Sequence, residues 1–203
     1  AAAHLIEAAR ATGRATLMTE CTVTGIDRDA SGAISAVRTS QGAIGTRHVV
    51  NAAGTWGGEI AALAGVELPI LPRRGFILVT EPLPPVVHHK VYAADYVANV
   101  ASDNAGLETS AVIEGTHAGT VLIGASRERV GFDKTLDWGV VRRLARQAIE
   151  VFPFLADVQL LRTYGGFRPY CPDHLPVIGP DPRVPGLLHA CGHEGAGVGL
   201  APA

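Results

Sequence analysis

Gly192, Gly195, Gly197 and Gly199 fall directly behind the apolar run Leu187-Leu-His-Ala-Cys191. That run, entered from Gly186, reads as a short buried strand. The glycines then occupy the stretch, through Leu200-Ala-Pro202-Ala203, where a strand hands over to a helix. A residue without Cβ lets backbone come close to a flat or anionic ligand. The first turn of a helix adds unpaired N–H groups and a positive dipole end. The pattern demands a strand–turn–helix unit here, serving either an electron-rich ligand or a plain glycine turn.

A second junction of this kind lies at Arg47-His-Val-Val50-Asn51-Ala-Ala-Gly54, a strand closing in small residues before a helical pattern from Thr55 to Leu63. Ligands of α/β sheets gather at the carboxyl ends of such strands. Residues 1–13 read as an amphipathic helix closed by Gly13. Ala15–Met18, Cys21–Ile26 and Ala33–Val37 read as an antiparallel meander with turns at Asp29–Gly32 and Ser40–Gly42. The composition changes at Pro69–Pro72. Strands are expected beyond it at 73–80, 86–99, 108–114, 120–125, 159–164 and 187–190. Few helices interrupt them, which implies a largely antiparallel sheet. One long helix fits 136–151, with Val140, Val141, Leu144, Ala148 and Val151 on one face and Arg142, Arg143, Arg146 and Glu150 on another. The fold class is therefore α/β (α+β).

The chain has 203 residues, 47% of them hydrophobic, enough for a real core. No run approaches the ~18 apolar residues of a membrane span, and the start lacks the shape of a secretion signal. A net charge of −2 with no long basic run argues against nucleic acid as a partner. Cys21, Cys171 and Cys191 are odd in number and widely spaced, which suits free thiols and a cytoplasmic setting. No G-x-G-x-x-G follows a strand, and both ends read as interrupted helices, so a piece of a longer protein is expected. His189, Cys191 and His193 raise a remote metal-binding alternative. Side chains two apart on a strand stand ~6.6 Å from each other, whereas zinc holds its donors at ~2.0–2.3 Å, so the chain would have to bend sharply.

Several motifs occur together in order: Val49-Val-Asn-Ala-Ala-Gly-Thr-Trp56, Pro72-Arg-Arg-Gly75, Gly124-Ala-Ser-Arg-Glu-Arg-Val-Gly-Phe-Asp133, Gly165-Gly-Phe-Arg-Pro-Tyr-Cys-Pro-Asp173, Leu175-Pro-Val-Ile-Gly179 and the glycines of 192–199. With them the chain resembles the D-amino acid oxidase-like family of FAD-dependent oxidoreductases over essentially its whole length. The resemblance implies oxidation of an amino acid or secondary amine by hydride transfer to flavin N5, with no protein acid or base as catalyst. It assigns 1–66 and 171–203 to an incomplete FAD-binding domain and 67–170 to a substrate-binding domain. Arg168 occupies the family position of the substrate-carboxylate clamp. Tyr170 follows it, and Tyr92 and Tyr96 are candidate pocket aromatics, all three with core packing as the competing reading. Val23, Ala52, Ala53, Gly54, Trp56, Arg74, Gly75, Gly192, His193, Glu194, Gly195, Ala196 and Gly197 are the candidate FAD contacts. Lacking the glycine-rich Rossmann unit of the family, the chain is expected to hold FAD weakly or not at all by itself. The competing function is a non-catalytic flavin-fold subunit or fragment of a hetero-oligomeric dehydrogenase, and other subunits are in either case possible partners.

Overall fold

The first and last stretches of the chain fold together. Ala1–Ile70 and Leu175–Ala203 make one unit, and Leu71–His174 makes a second. The computed structural model describes residues 2–201. Ala1, and the Pro202 and Ala203 read above as part of a helix start, lie outside them.

The first unit begins with α1 (Ala2–Ala11), which buries no side chain. A meander follows: β1 (Val23–Arg28), β2 (Ile34–Thr39) and β3 (Gly42–Gly45), paired antiparallel in that order. Its first turn forms because the Asp29 carboxylate accepts from the backbone N–H groups of Ser31 (2.8 Å) and Ala33 (3.1 Å). The strand expected at Ala15–Met18 is absent. Leu17 and Met18 are exposed, and the meander ends at three strands, so no partner exists to satisfy that backbone. β4 (Val49–Asn51) then leads through a single 3₁₀ turn, Gly54–Trp56, into α2 (Gly57–Leu63).

The second unit is built on one sheet. Its elements are β5 (Leu71–Thr80), β6 (Val91–Tyr92), α3 (Asp95–Val100), β7 (Glu108–Gly115), β8 (Val121–Arg127), α4 (Trp138–Val151) and β9 (Leu160–Tyr170). The strand order is β6-β7-β8-β5-β9, and every neighbouring pair is antiparallel. α4 starts where the Asp137 side chain accepts from the N–H groups of Gly139 (2.7 Å) and Val140 (3.3 Å), an N-cap. Its Val140, Val141, Leu144 and Ala148 pack on Phe76, Leu78, Ile113, Val121 and Ile123 to form the core of this unit. Val151, expected on the same face, closes the last turn and is exposed, while Phe152 packs against the core instead. The strand expected over 86–99 shrinks to β6. Asp95 sits in the first turn of α3, where its charge complements unpaired N–H groups, and the chain turns helical there.

The chain returns to the first unit as β10 (Val177–Pro180), β11 (Leu187–Cys191) and α5 (Gly197–Leu200). β11 lies between β10, antiparallel, and β4, parallel. Ile26, Ile34, Ala61, Ala64, Val66, Val184 and Leu187 form the core that joins meander, α2 and this sheet.

Candidate functional site

In the first unit, β4 and β11 run parallel with Asn51 opposite His189. β4 opens at its carboxyl end into Ala52-Ala53-Gly54, and β11 opens beside it into Gly192 and the turn at Glu194–Gly195. Two adjacent parallel strands thus end in turns of mostly small residues, the arrangement in which α/β sheets receive a ligand. Gly54 (φ +55°) and Gly192 (φ +79°) hold left-handed backbone, which glycine adopts without the steric cost of a Cβ. A Cβ built at Gly54 or Gly195 would meet nothing within 4 Å.

A buried hydrogen-bond relay fixes these strand ends. Asn51 Nδ2 donates to the carbonyl of Gly57 at 2.8 Å, and Asn51 Oδ1 accepts from the N–H of Ala53 at 3.3 Å. Asn51 Nδ2 also lies 3.3 Å from His189 Nδ1, and His189 Nε2 lies 3.0 Å from Asp181 Oδ2. The network is satisfied when His189 carries its proton on Nε2 and donates it to Asp181. Arg183 completes the relay by donating to Asp181 through Nε (3.0 Å) and Nη2 (2.7 Å). Hydrogen bonds from the Arg183 side chain, then from its backbone N–H and from His189, hold the Asp181 carboxyl well below the usual carboxylate range, against the opposing effect of burial.

In the second unit, one face of the sheet gathers guanidinium groups. Directly opposite residues of an antiparallel pair share a face, and Arg73 opposes Arg168, Gly75 opposes Gly166, and Glu108 opposes Arg127. Arg73 is 1% exposed and donates to Glu108 (3.3 Å) and to the carbonyl of Ser102 (2.9 Å). It lies 5.2 Å from the centre of the Tyr170 ring. Arg168 reaches over Gly75, where any Cβ would collide with its Nη1, and donates to the carbonyl of Ser126 at 3.0 Å. Arg127 stacks on Tyr96 at 5.1 Å, and Tyr96 lies 5.4 Å from Tyr92. Arg129 stacks on Tyr170 at 4.7 Å. The Tyr170 hydroxyl donates to Asp103 at 3.1 Å, and burial first, then this hydrogen bond, pushes its pKa up.

The candidate substrate residues Arg168, Tyr170, Tyr92 and Tyr96 therefore all join one arginine–aromatic cluster in the second unit. Gly75 supplies the gap that Arg168 crosses. Arg74 points to the opposite face, over the Phe76 ring, and is held by Glu128 (2.8 Å), Asp133 (2.8 Å) and the carbonyl of Thr135 (3.0 Å). Among the candidate FAD contacts, Ala52, Ala53, Gly54, Gly192, His193, Glu194, Gly195 and Ala196 lie on the two strand ends of the first unit. Gly197 follows at the first residue of α5, and Trp56 closes the 3₁₀ turn, exposed. Val23 stands apart from them, at the start of β1 in the other sheet. The metal reading of His189, Cys191 and His193 gains no support. His189 is engaged at both ring nitrogens, and among the described residues no three His, Cys, Asp or Glu are grouped to hold an ion. Sequence reasoning missed the roles of Arg127, Arg129 and the Asn51–His189–Asp181 relay. The alternate spacing Arg127-x-Arg129 at the end of a strand was the available signal for the first two.

Paired strand ends of small residues on a mixed sheet and an arginine-rich antiparallel sheet thus occur in one chain, each in its own unit. The chain belongs to the DAO family of FAD dependent oxidoreductases, whose family model matches residues 1–203. It is 36% identical over 196 residues to the hydrogen cyanide synthase subunit HcnC of Pseudomonas aeruginosa, covering 95% of this chain and 43% of that one. It is 30% identical over 187 residues to the glycine oxidase of Pseudomonas putida, covering 92% and 47%. Among solved structures it superposes on L-proline dehydrogenase from P. horikoshii with a TM-score of 0.84 at 26% identity, covering 96% of this chain and 50% of the other. The chain spans about half the length of the curated relatives it matches.

Proposed function

We propose that this chain is part of an FAD-dependent enzyme that oxidises an amino acid or secondary amine. The observation that carries the reading is Arg168, a guanidinium laid over Gly75 on a sheet face already rich in positive charge. A planar, permanently charged fork is the side chain suited to a substrate carboxylate. Gly166, opposite Gly75, keeps the neighbouring surface open, since a Cβ there would meet nothing within 4 Å.

The first unit fits FAD. Its paired strand ends, Ala52–Gly54 and Gly192–Ala196, offer small side chains and free approach to backbone, the features a dinucleotide needs. When bound, the flavin supplies the hydride acceptor, the chemistry no side chain can provide. This chain's residues then bind and orient. Arg168 fixes the substrate by its carboxylate, Tyr170 and Tyr96 hold neighbouring guanidiniums in place, and the Asn51 relay keeps the Ala52–Gly54 turn in register. No side chain is assigned as acid or base, because positioning is the main contribution the reaction asks of the protein.

The similarity to HcnC, a subunit by its name, supports companion subunits as partners of the whole protein. Three widely spaced cysteines, an odd number, support a cytoplasmic site of action. Purified full-length protein, supplied with FAD and an artificial electron-accepting dye, should turn over at least one amino acid or N-substituted amino acid without companions. Stoichiometric flavin with no turnover of any such compound would favour the non-catalytic subunit instead.

A further inference from the structure

Four guanidiniums, of Arg73, Arg127, Arg129 and Arg168, belong to the cluster on the second unit's sheet. Glu108 answers Arg73, and the Asp103 carboxylate accepts from Tyr170 and lies 3.2 Å from His174 Nε2. Arg73 Nε and Arg129 Nη1 are each buried and make no hydrogen bond among the described residues. Those guanidiniums bond carbonyl or carboxylate oxygens through another nitrogen, whereas Arg127 bonds only Tyr96. Arg127 is 4% exposed, and its Nη1 is buried with no hydrogen-bond partner among the described residues. Glu108, opposite it, is engaged by Arg73, and the Tyr96 ring covers one side of the guanidinium. Burial, then repulsion from Arg73, lowers its pKa, yet an arginine stays charged. A buried cation with an unanswered donor is costly unless an anion joins it.

Arg168 bonds the carbonyl of Ser126, the residue before Arg127, and crosses the bare surface of Gly75 to do so. The proposed carboxylate clamp and the unanswered donor thus stand on one face of the sheet, with the exposed Gly166 of β9 beside the glycine that Arg168 crosses. We propose that Arg127 is a second substrate-binding residue that takes a second carboxylate, so that the amine oxidised at this site is a short dicarboxylate. The proposal rests on the reading of Arg168 as the clamp for the first carboxylate.

Succinate and butyrate differ in the second carboxylate at equal chain length, and calorimetric titration of the full-length flavoprotein with each reads the preference directly. Wild type should bind succinate at least about tenfold more tightly, the worth of one charge-assisted contact. Arg127→Met should bring the two acids within about twofold while leaving butyrate affinity unchanged. Because it removes a buried cation, it should hold or raise the melting temperature. Arg127→Lys should keep part of the preference, and Arg127→Gln gives the same comparison if the Met variant does not fold. Equal affinities in wild type, no binding of succinate, or a preference that survives Arg127→Met or Arg127→Gln would overturn the proposal. So would a lower melting temperature with unchanged selectivity, the mark of a purely structural arginine. Arg168→Met separates the two readings. It should weaken both acids; if it weakens neither, the clamp reading fails, whereas a succinate preference lost only in the Arg127 variants would still place a carboxylate at Arg127.

Discussion

At the scale of single residues, burial decides which charges matter. Arg168 bonds the Ser126 carbonyl across buried Gly75, and the glycine opposite, Gly166, is exposed. Lysine would keep the charge but lose the bidentate fork. In the full-length enzyme Arg168→Lys should raise KM strongly and lower turnover, a loss of about 1.5–3 kcal/mol or roughly 10- to 150-fold in kcat/KM. Unchanged kinetics across a panel of amino acids would show that Arg168 holds no carboxylate. Asp181 makes a different kind of contribution. Its carboxyl pKa lies below the unfolded value, so it stabilises the fold fully above about pH 4 and progressively less as the pH falls toward its native pKa. Asp181→Asn should cost roughly 1–3 kcal/mol at neutral pH, because the Arg183 guanidinium and the His189 N–H lose a charged acceptor. The gap to wild type should close in acid. Thermal melts at several pH values check this, and a gap independent of pH would contradict the assignment.

At the scale of elements, what could be read from the sequence followed from periodicity and partners. Val140, Val141, Leu144 and Ala148 repeat at helical spacing, and α4 packs with those residues inward. Leu144 is fully buried, so Leu144→Ala should cost about 2–5 kcal/mol of stability. Chemical denaturation measures it, and a change under about 1 kcal/mol would place Leu144 outside the core. Strands that needed a distant partner were harder to read. Ala15–Met18 reads as a short strand, but no fourth strand is there to pair with it. β10, broken in sequence by Pro176, Gly179 and Pro180, pairs along the edge of β11 because an edge strand tolerates proline. Of the site, the small-residue strand ends were legible as local motifs. The arginine cluster was not. It depends on the cross-strand registers Arg73–Arg168 and Glu108–Arg127, and strand register is a property of pairing that no single segment carries.

At the scale of the molecule, the proposed function divides the work between the two units. The first, built from the chain's two outer stretches, presents the strand ends suited to a dinucleotide. The second presents the guanidinium face suited to carboxylates. Among the described residues no helix is long and apolar enough to cross a membrane. In the proposed function a substrate held through Arg168 gives up a hydride to the flavin. Anaerobic mixing of the full-length, flavin-loaded protein with amino acids and N-substituted amino acids, including iminodiacetate, tests it in one step. At least one of these should bleach the flavin's visible band without oxygen or dye, and Arg168→Met should slow the bleaching by at least about tenfold at subsaturating substrate. A flavin that stays oxidised with every compound, or one bleached equally fast in Arg168→Met, would contradict the account.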